Sequence, residues 1–437
     1  MTTYFKPSPM QKIVLFSYSL LWLFIIPFSL CHFLFQLIKG KSGYSKTRLS
    51  RYGFIANTKK QKNTMLIHCA SVGEVVAIQN LVEQLLSNSP HQNIIITTNT
   101  TTGADRVKQL FENRVQHVYL PYDFPVFIRL FLKAAGITQV LITEMELWPN
   151  FCHQCWSLEI PIFIINGRMS EKSTKTYQKF PTLFQPMFKK ITAICAQDQR
   201  DVENYLSLGV SSDKLTLTNN IKFDLTVSRH DLDLSQTIKS KFALHDRLIL
   251  VAGSTHEPEE QIVLDAYLAL QATYSNLLLV IVPRHPQRFE KVHQLLKKQH
   301  VNTVLMSAAT PCTSHTQVLL CDQMGTLRSL YAIADICFVG GSLADKGGHN
   351  ALEPAAVGVP ILMGNSIYNN PAICQALTAS GALLTVTDAQ QIEDLCRNWL
   401  ANPEQMKCAG DAGKQVLTVN SGAIQKTLNV LNAYHAH

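Results

Sequence analysis

Glu74 lies where a carboxylate could take a proton from an attacking hydroxyl group. It follows an apolar run by way of Ser71 and precedes a stretch with helical periodicity. A carboxylate placed at the mouth of a cleft can act as a general base. A serine followed three residues later by glutamate is also typical of a helix capping box. The spacing alone leaves both interpretations open.

Glu144 and Glu146 form a second acidic pair at the end of another apolar run. Residues at i and i+2 share one face of an extended strand, so the two carboxylates are expected to point together into a cleft. Solvated acids are the alternative. Lys222, farther along, could neutralise charge on a leaving phosphate, although a lone lysine is more commonly a surface residue.

The second half contains a glycine-rich segment after a short apolar run, residues 336–339. The pairs 340–341 and 347–348 let the backbone approach a ligand closely and reach positive φ. Asn350 is expected to open a helix whose free N–H groups suit a phosphate, and Glu353 could hold a ribose hydroxyl pair. The segment therefore predicts a nucleotide site.

Two further loops follow apolar runs in this half. Residues 253–257 precede a helix, with Pro258 suited to its first turn, so either capping or ligand contact explains them. Pro283 fixes the backbone before Arg284, whose guanidinium group suits a phosphate or carboxylate, with surface ion pairing as the alternative.

Composition narrows the class of protein. The 437 residues allow two domains of ordinary size, and the net charge of +8 favours anionic substrates or a membrane surface. No compact basic patch with interleaved aromatic residues is present, so nucleic acid is not an expected partner. The 11 cysteines show no disulfide framework, and Cys152 and Cys155 lack a second ligand pair for zinc.

An uncharged apolar run occupies residues 13–38, longer than the roughly 20 residues that span a bilayer. Pro27 is expected to kink or divide this helix. A helix lying in the membrane plane is the alternative to one that spans it. Because basic residues are more numerous after the run, the rest of the chain is predicted to be cytoplasmic. These basic residues are Lys39, Lys41, Lys46, Arg48 and Arg51.

The elements that must position these side chains alternate between strand and helix, which implies parallel sheets with crossover helices. Polar residues 228–240 interrupt the alternation and are interpreted as a linker. We therefore predict an α/β chain with three parts: an anchor (1–40), a first Rossmann-like domain (41–227) and a second one (228–437). In such sheets ligands bind beyond the carboxyl ends of the strands, here in a cleft between the domains.

Taken together, these segments resemble the 3-deoxy-D-manno-octulosonic acid (Kdo) transferases of lipopolysaccharide synthesis, glycosyltransferase family 30. Each segment alone is weakly specific, whereas their order and spacing are highly specific. The matching segments are residues 44–54, 67–74, 144–150, 166–170, 220–224, 254–256, 282–288 and 336–354.

The resemblance implies a GT-B fold and transfer of Kdo from CMP-Kdo to the lipid A precursor, lipid IVA, at the bacterial inner membrane. It implies inversion at the sugar, with no metal and no cofactor. Glu74 then corresponds to the general base, and Glu144 and Lys222 to residues that support the transition state. The implied CMP site comprises Pro283, Arg284, Met324, Gly325, Thr326, Asn350, Ala351, Leu352 and Glu353.

Thr326 departs from the family, which usually has glutamate at this position. If that carboxylate holds the cytidine or ribose, donor affinity falls here. Two alternatives stay open at this stage: another GT-B transferase of lipid A synthesis that uses a UDP-sugar, and a membrane-tethered nucleotide-binding protein without activity. A Rossmann dehydrogenase is disfavoured, because no Gly-x-Gly-x-x-Gly follows a first strand.

Overall fold

The apolar run at the start of the chain folds as one helix, α1 (Pro9–Ile38). Ser8 caps it: the Ser8 hydroxyl accepts a hydrogen bond from the Gln11 N–H, and the Gln11 side chain accepts one from the Ser8 N–H. Pro27 lies inside α1 without dividing it. In the part of the chain that the structure describes, α1 is the one helix long and apolar enough to cross a membrane.

The computed structural model describes residues 5–40, 46–55 and 63–435. Lys41 and residues 44–45, used in the sequence interpretation, lie outside this set. The chain forms two compact units. The first comprises Met1–Asp224 with Ser421–His437, and the second comprises Leu225–Asn420.

The first unit is built on a parallel sheet of seven strands in the order β3-β2-β1-β4-β5-β6-β7. The strands are β1 (Thr64–His68), β2 (Asn93–Thr98), β3 (Gln116–Tyr119), β4 (Ile137–Thr143), β5 (Ile162–Gly167), β6 (Ala193–Ala196) and β7 (Leu215–Leu217). The helices are α2 (Val72–Ala77), α3 (Gln79–Asn88), α4 (Thr101–Phe111), α5 (Pro125–Ala134), α6 (Pro149–Ser157), α7 (Glu171–Lys179), α8 (Pro181–Lys189) and α9 (Gln199–Ser207). Short 3-10 helices cover Lys46–Tyr52, Ser212–Lys214 and Ile221–Asp224.

Apolar alternation and capping residues explain why these elements form. Along β1, Leu66 packs into the core on one face of the sheet, while Met65 and Ile67 pack into the core on the other. Polar N-caps start four of the crossover helices by accepting the N–H three residues on: Ser71, Thr100, Ser170 and Asp198. The stretch with helical periodicity at Glu74 forms two helices, α2 and α3.

The second unit contains a similar parallel sheet of seven strands, ordered β10-β11-β9-β8-β12-β13-β14. Its strands are β8 (Leu248–Thr255), β9 (Leu277–Pro283), β10 (Thr303–Leu305), β11 (Val318–Leu320), β12 (Ile336–Val339), β13 (Ile361–Met363) and β14 (Leu383–Thr385). Its helices are α10 (Arg229–Lys241), α11 (Glu259–Gln271), α12 (Phe289–Lys298), α13 (Leu327–Tyr331), α14 (Leu352–Val357), α15 (Pro371–Ala379), α16 (Ala389–Ala401) and α17 (Pro403–Asn420). Pro286–Arg288 and Met306–Ala308 form 3-10 helices.

The polar stretch interpreted as a linker is helix α10, so that interpretation was wrong. Ser228 caps α10 by accepting the Asp231 N–H at 3.0 Å, and Ile238 is buried on its inner face. Most of its other residues are polar and face solvent, which hides the helical periodicity in the sequence.

The chain returns to the first unit in its last helix, α18 (Ala423–His435). Ile424, Leu428 and Leu431 pack into the core on the side of the sheet that Ile67 faces. The Asp224 carboxylate accepts the Ile424 N–H at 2.6 Å and fixes the start of the helix. Residues 421–437 thus pack with the first unit, whereas the expected boundaries grouped them with the second. Two Rossmann-like units and an apolar N-terminal helix are otherwise as predicted.

Candidate functional site

Each sheet has a point at which the strand order reverses, and ligands of open α/β sheets bind beside it. In the first unit this point lies between β1 and β4, which are followed by the segments that carry Glu74 and Glu144. In the second it lies between β8 and β12, which are followed by residues 256–259 and by the glycine-rich segment. The topology therefore places the predicted segments at the switch points of the two sheets.

Glu74 lies in the first turn of α2 and is 8% exposed. Its Oε2 accepts the Ala70 N–H at 2.8 Å, and its Oε1 accepts the Ser71 hydroxyl at 2.9 Å. The Ser71 hydroxyl in turn accepts the Glu74 N–H at 3.3 Å. Both open interpretations of this segment are compatible, since the capping interaction holds the carboxylate in a defined position.

Burial raises the pKa of Glu74 from 4.5 to about 7. The hydrogen bonds from Ala70 and Ser71 oppose this rise, and the nearby negative charges of Glu144 and Glu146 add to it. A carboxylate that titrates near neutral pH can both accept and release a proton at the pH of a cell, which is what general-base catalysis requires.

Glu144 directly follows β4 and has φ +56°, an uncommon conformation for a residue with a side chain. The Glu144 N–H bonds the Ile165 carbonyl at 3.0 Å and fixes the turn. The expected sharing of one strand face by Glu144 and Glu146 is wrong, because the chain leaves the extended conformation at Glu144. Both acids nevertheless lie close enough to act on the pKa of Glu74.

Glu146 is held by two residues that the sequence did not single out. His68 Nε2 lies 3.2 Å from Glu146 Oε2, and the Asn99 amide also donates to this oxygen. Burial alone would raise the pKa of Glu146. The hydrogen bond and the charge of His68, together with the hydrogen bond from Asn99, outweigh burial and hold the pKa below its usual value. His68 is the last residue of β1, and Asn99 directly follows β2. Their positions at the carboxyl ends of neighbouring strands could have indicated the site only once the strand order was known.

Lys222 is half-buried in the 3-10 helix Ile221–Asp224. The side chain of Asn166, at the end of β5, accepts the Ile221 N–H at 3.0 Å, and the Asn220 side chain accepts the Lys222 N–H at 3.0 Å. Asn166 is 2% exposed, and its Nδ2 has no hydrogen-bond partner among the described residues. This amide is a further donor at the carboxyl end of the first sheet.

The glycine-rich segment is closed by a carboxylate from the chain itself. Glu259, at the start of α11, is fully buried and accepts the N–H groups of Gly341, Ser342, Leu343 and Ala344 at 2.8–3.3 Å. Successive N–H groups of this kind are a typical anion nest. Because Glu259 occupies it, these four groups are not available to a phosphate.

The structure explains why glycine occupies two positions in this segment. A Cβ atom at Gly340 would lie 2.5 Å from the Ser254 carbonyl oxygen, so only glycine allows this contact between the ends of β12 and β8. Gly341 has φ +72°, which turns its N–H toward Glu259. The glycines therefore serve the packing of the loop on its own sheet.

Asn350 lies two residues before α14 rather than opening it. Its Oδ1 accepts the Leu352 N–H at 3.2 Å, and its Nδ2 lies 3.4 Å from Glu353 Oε1. Arg328 Nε also lies 3.4 Å from this oxygen. Burial raises the pKa of Glu353, and the positive charge of Arg328 and, more weakly, that of Arg284 oppose the rise. Glu353 thus lies beside Asn350 and Arg328 and within range of the charge of Arg284.

Arg284 follows Pro283 at the end of β9 and is exposed. Its N–H bonds the Thr255 carbonyl at 3.0 Å. Its charge also lowers the pKa of His349, after the larger effect of burial, to about 4. The guanidinium group therefore lies beside the polar end of the sheet, where an anion could reach it.

Met324, Gly325 and Thr326 form the turn before α13, with Met324 exposed and Gly325 at φ +92°. The Thr326 hydroxyl lies 3.1 Å from Cys321 Sγ and caps no N–H group of the helix. The threonine side chain thus turns back onto its own loop.

The cysteine pair has a structural explanation. Cys152 and Cys155 are fully buried on α6, and burial raises the pKa of both thiols. Within residues 5–40, 46–55 and 63–435, no group of three or more His, Cys, Asp or Glu side chains is arranged to hold a metal ion. Both cysteines are thus packed side chains of a helix.

Comparison with known proteins finds two matching family models. Residues 46–225 match the model described as 3-Deoxy-D-manno-octulosonic-acid transferase (kdotransferase), and residues 238–416 match Glycosyl transferases group 1. The two matches fall on the two units described above.

Curated relatives match almost the whole chain. The 3-deoxy-D-manno-octulosonic acid transferase of Haemophilus influenzae is 40% identical over 96% of this chain and 98% of its own length. That of Chlamydophila psittaci is 28% identical over 97% of each chain.

Among solved structures, the UDP-GlcNAc 2-epimerase of Neisseria meningitidis aligns with a TM-score of 0.58 at 16% identity, covering 85% of this chain and 100% of that chain. At this identity the likeness concerns the fold alone, and it confirms the predicted GT-B fold class.

Proposed function

The chain belongs to the 3-deoxy-D-manno-octulosonic acid (Kdo) transferase family, and from that premise we propose that it transfers Kdo from CMP-Kdo to a hydroxyl group of the lipid A precursor, lipid IVA. Family membership makes it a glycosyltransferase that moves Kdo in lipopolysaccharide biosynthesis. The proposal adds the donor, the acceptor, inversion at the sugar and independence of a metal ion.

The position of Glu74 carries this proposal. A glycosyl transfer by single displacement needs a base that is deprotonated near neutral pH and close to the attacking hydroxyl group. Glu74 supports this role through its burial, its fixed orientation on Ala70 and Ser71, and its pKa of about 7. Its place at the switch point of the first sheet is where a ligand is expected.

In the proposed reaction the acceptor hydroxyl gives its proton to Glu74 while its oxygen attacks the anomeric carbon of Kdo. The bond from that carbon to the phosphate oxygen breaks, and CMP leaves with the bonding electrons. Attack opposite the leaving group inverts the sugar. We assign Glu144 and Lys222 to support of the transition state, Lys222 by its positive charge and Glu144 by its negative charge near the developing oxocarbenium ion.

The second unit is proposed to bind the cytidine monophosphate part of the donor. Arg284 presents a guanidinium group suited to the phosphate, and Pro283 fixes the backbone before it. Glu353 is oriented by Arg328 and Asn350, so its carboxylate can accept hydrogen bonds from the ribose hydroxyl groups. The remaining proposed contacts are Met324, Gly325, Thr326, Ala351 and Leu352.

We further propose that the enzyme works at the cytoplasmic face of the bacterial inner membrane. Helix α1 supports a membrane attachment by its length and mean hydropathy of 2.2. A lipid acceptor stays in the membrane, and a cytidine-activated sugar is soluble. A tethered enzyme meets both at this surface.

Mass spectrometry of the lipid product tests the proposal. Purified protein is incubated with tetraacylated lipid A precursor and either CMP-Kdo or UDP-sugars, with and without EDTA. We expect a mass increase of whole Kdo units with CMP-Kdo in both conditions. Product formed from a UDP-sugar and not from CMP-Kdo would show that the proposed donor is wrong. Loss of activity with EDTA would refute metal independence. No turnover with any donor would favour a nucleotide-binding protein without activity.

A further inference from the structure

Helix α1 lies along the first unit over nearly its whole length. Its less exposed positions recur at helical spacing: Gln11, Val14, Leu15, Tyr18, Ser19, Trp22, Ile26, Ser29, Phe33 and Gln36. This stripe follows the 3.6-residue period of a helix packed on one side. It includes several polar side chains of the helix, an arrangement opposite to that of a helix with lipid on all sides.

Specific contacts hold the stripe in place. The Ser19 hydroxyl donates to Asn150 Oδ1 at 2.9 Å, and the Ser29 hydroxyl lies 3.3 Å from the Tyr52 hydroxyl. The Phe33 and Tyr52 rings pack with centroids 6.1 Å apart. Because Ser19 and Phe33 lie about four turns apart on the helix, these contacts fix its direction as well as its position.

The opposite face of α1 is apolar and exposed. Phe24 and Phe28 are 72% and 78% exposed, far more than a soluble surface normally leaves uncovered. Around the rest of its circumference, outside the stripe, α1 carries further exposed apolar side chains: Ile13, Phe16, Leu20, Leu21, Leu23, Ile25, Leu30, Leu34, Phe35, Leu37 and Ile38. A surface of this extent requires an apolar partner.

The helices beside α1 indicate which apolar partner covers its exposed face. Helices α5 and α8 carry the exposed cations Arg129, Lys133 and Lys189 and contain no acidic residue. Exposed Val126 and Leu130 lie on α5 as well. Cations next to exposed apolar side chains are typical of a surface that binds anionic lipid headgroups and inserts into the acyl region.

We propose that α1 lies in the plane of an anionic bilayer surface, with its outer face in the acyl region and its inner face held on the first unit. The docked stretch, residues 11–36, is about 38 Å long at ~1.5 Å per residue, longer than the ~30 Å hydrocarbon layer. A helix that crossed the bilayer in this docked state would draw the polar first unit, with the exposed cations Arg129 and Lys133 of α5, into hydrocarbon. The inference concerns the mode of attachment and does not depend on the reaction proposed above.

Cysteine labelling tests this topology. In a background with the exposed native cysteines replaced (Cys31→Ser and Cys408→Ser), Lys6→Cys marks the start of the chain and Ser207→Cys marks the first unit. Both are treated with a membrane-impermeant maleimide in intact spheroplasts and in inverted inner-membrane vesicles. An in-plane helix leaves both cysteines on one side, so both react in the same preparation. Reaction of the two in opposite preparations would overturn the proposal.

A matched pair of substitutions tests docking independently of topology. Ser19→Leu removes the bond to Asn150, whereas Ser17→Leu changes an exposed position two residues away. In vesicles containing phosphatidylglycerol, we expect a lower melting temperature for Ser19→Leu only, because the Oδ1 atom of the buried Asn150 loses the hydroxyl that donates to it. A free spanning helix would accept both leucines equally well. Equal melting temperatures for the two variants would therefore contradict the docked arrangement.

Discussion

Replacement of Glu74 by glutamine gives the most direct test of the catalytic proposal. The side chains have nearly the same shape, so Glu74→Gln keeps an oxygen acceptor for the Ala70 N–H and removes only the ability to take up a proton. General-base catalysis contributes ~10²–10⁴-fold to rate, and we expect transfer to fall by that factor. Binding of CMP-Kdo should be unchanged, because the proposed nucleotide contacts lie in the second unit.

The pKa of Glu74 sets the pH dependence of this effect. The carboxyl group titrates near pH 7 in the folded protein, so the wild-type rate should rise with pH and level off above about 7. The Glu74→Gln variant should lack this rise of the rate with pH, called the limb below. Ser71→Ala provides a matched control, since it keeps the base but removes a hydrogen bond that lowers the pKa of Glu74. Its limb should move to higher pH.

The same titration affects stability with a defined sign. The folded protein keeps the Glu74 proton up to about pH 7, whereas the unfolded chain releases it near 4.5, so stability falls as pH rises between these values. The rise in pKa corresponds to a loss of about 3 kcal/mol in the free energy of unfolding as the pH rises past both pKa values. The Glu74→Gln variant should not show this loss. The variant should therefore be at least as stable as wild type at pH 8.

The test combines thermal melts with initial rates for CMP-Kdo and lipid A precursor. The rates are measured from about pH 5.5 to 9, a range that includes the expected transition near pH 7. A Glu74→Gln rate within tenfold of wild type, or a retained limb near pH 7, would remove Glu74 from the role of base. A large loss of rate with a much lowered melting temperature would instead indicate a structural role for the residue.

Three further predictions follow from the site. His68→Phe should raise the pKa of Glu146, because burial is then opposed by the bond from Asn99 without the bond and charge of His68; carbon-13 NMR titration would show no change if the contact is unimportant. Glu259→Gln should place an amide NH₂ among five N–H donors and lower stability by about 1–3 kcal/mol, a drop in melting temperature of ~2–4 °C per kcal/mol, while the exposed Glu257→Gln serves as control. Thr326→Glu should lower KM for CMP-Kdo by up to about tenfold with kcat unchanged, as one added hydrogen bond to the nucleotide allows; an unchanged KM would mean that this turn contacts the donor through its backbone.

The sequence predicted the architecture because its apolar runs alternate with capped amphipathic stretches. Strand β12 has the predicted bounds, residues 336–339, since a buried parallel strand reads as a short continuous apolar run. Helix α10 was missed because a helix that is polar on most sides lacks this signal. The placement of α18 was missed because no local pattern records which sheet a terminal helix covers.

For the site, motif order identified the family and the segments that hold Glu74, Glu144, Lys222 and Arg284. Residue types and spacing alone could not say what those side chains meet. Burial by neighbours distant in sequence raises the pKa of Glu74, and the parallel pairing of β1 with β2 and with β4 brings His68 and Asn99 to Glu146.

The sequence by itself determined the two parallel sheets, the apolar helix and the family, because these depend on local periodicity and on the order of short motifs. Only the tertiary structure decided that Glu259 fills the anion nest of the glycine-rich segment and that α1 turns its polar stripe toward the first unit. Both depend on contacts between residues far apart in the chain, and the free energy of burying a charge or a hydroxyl group is set by those neighbours rather than by the residue's own type.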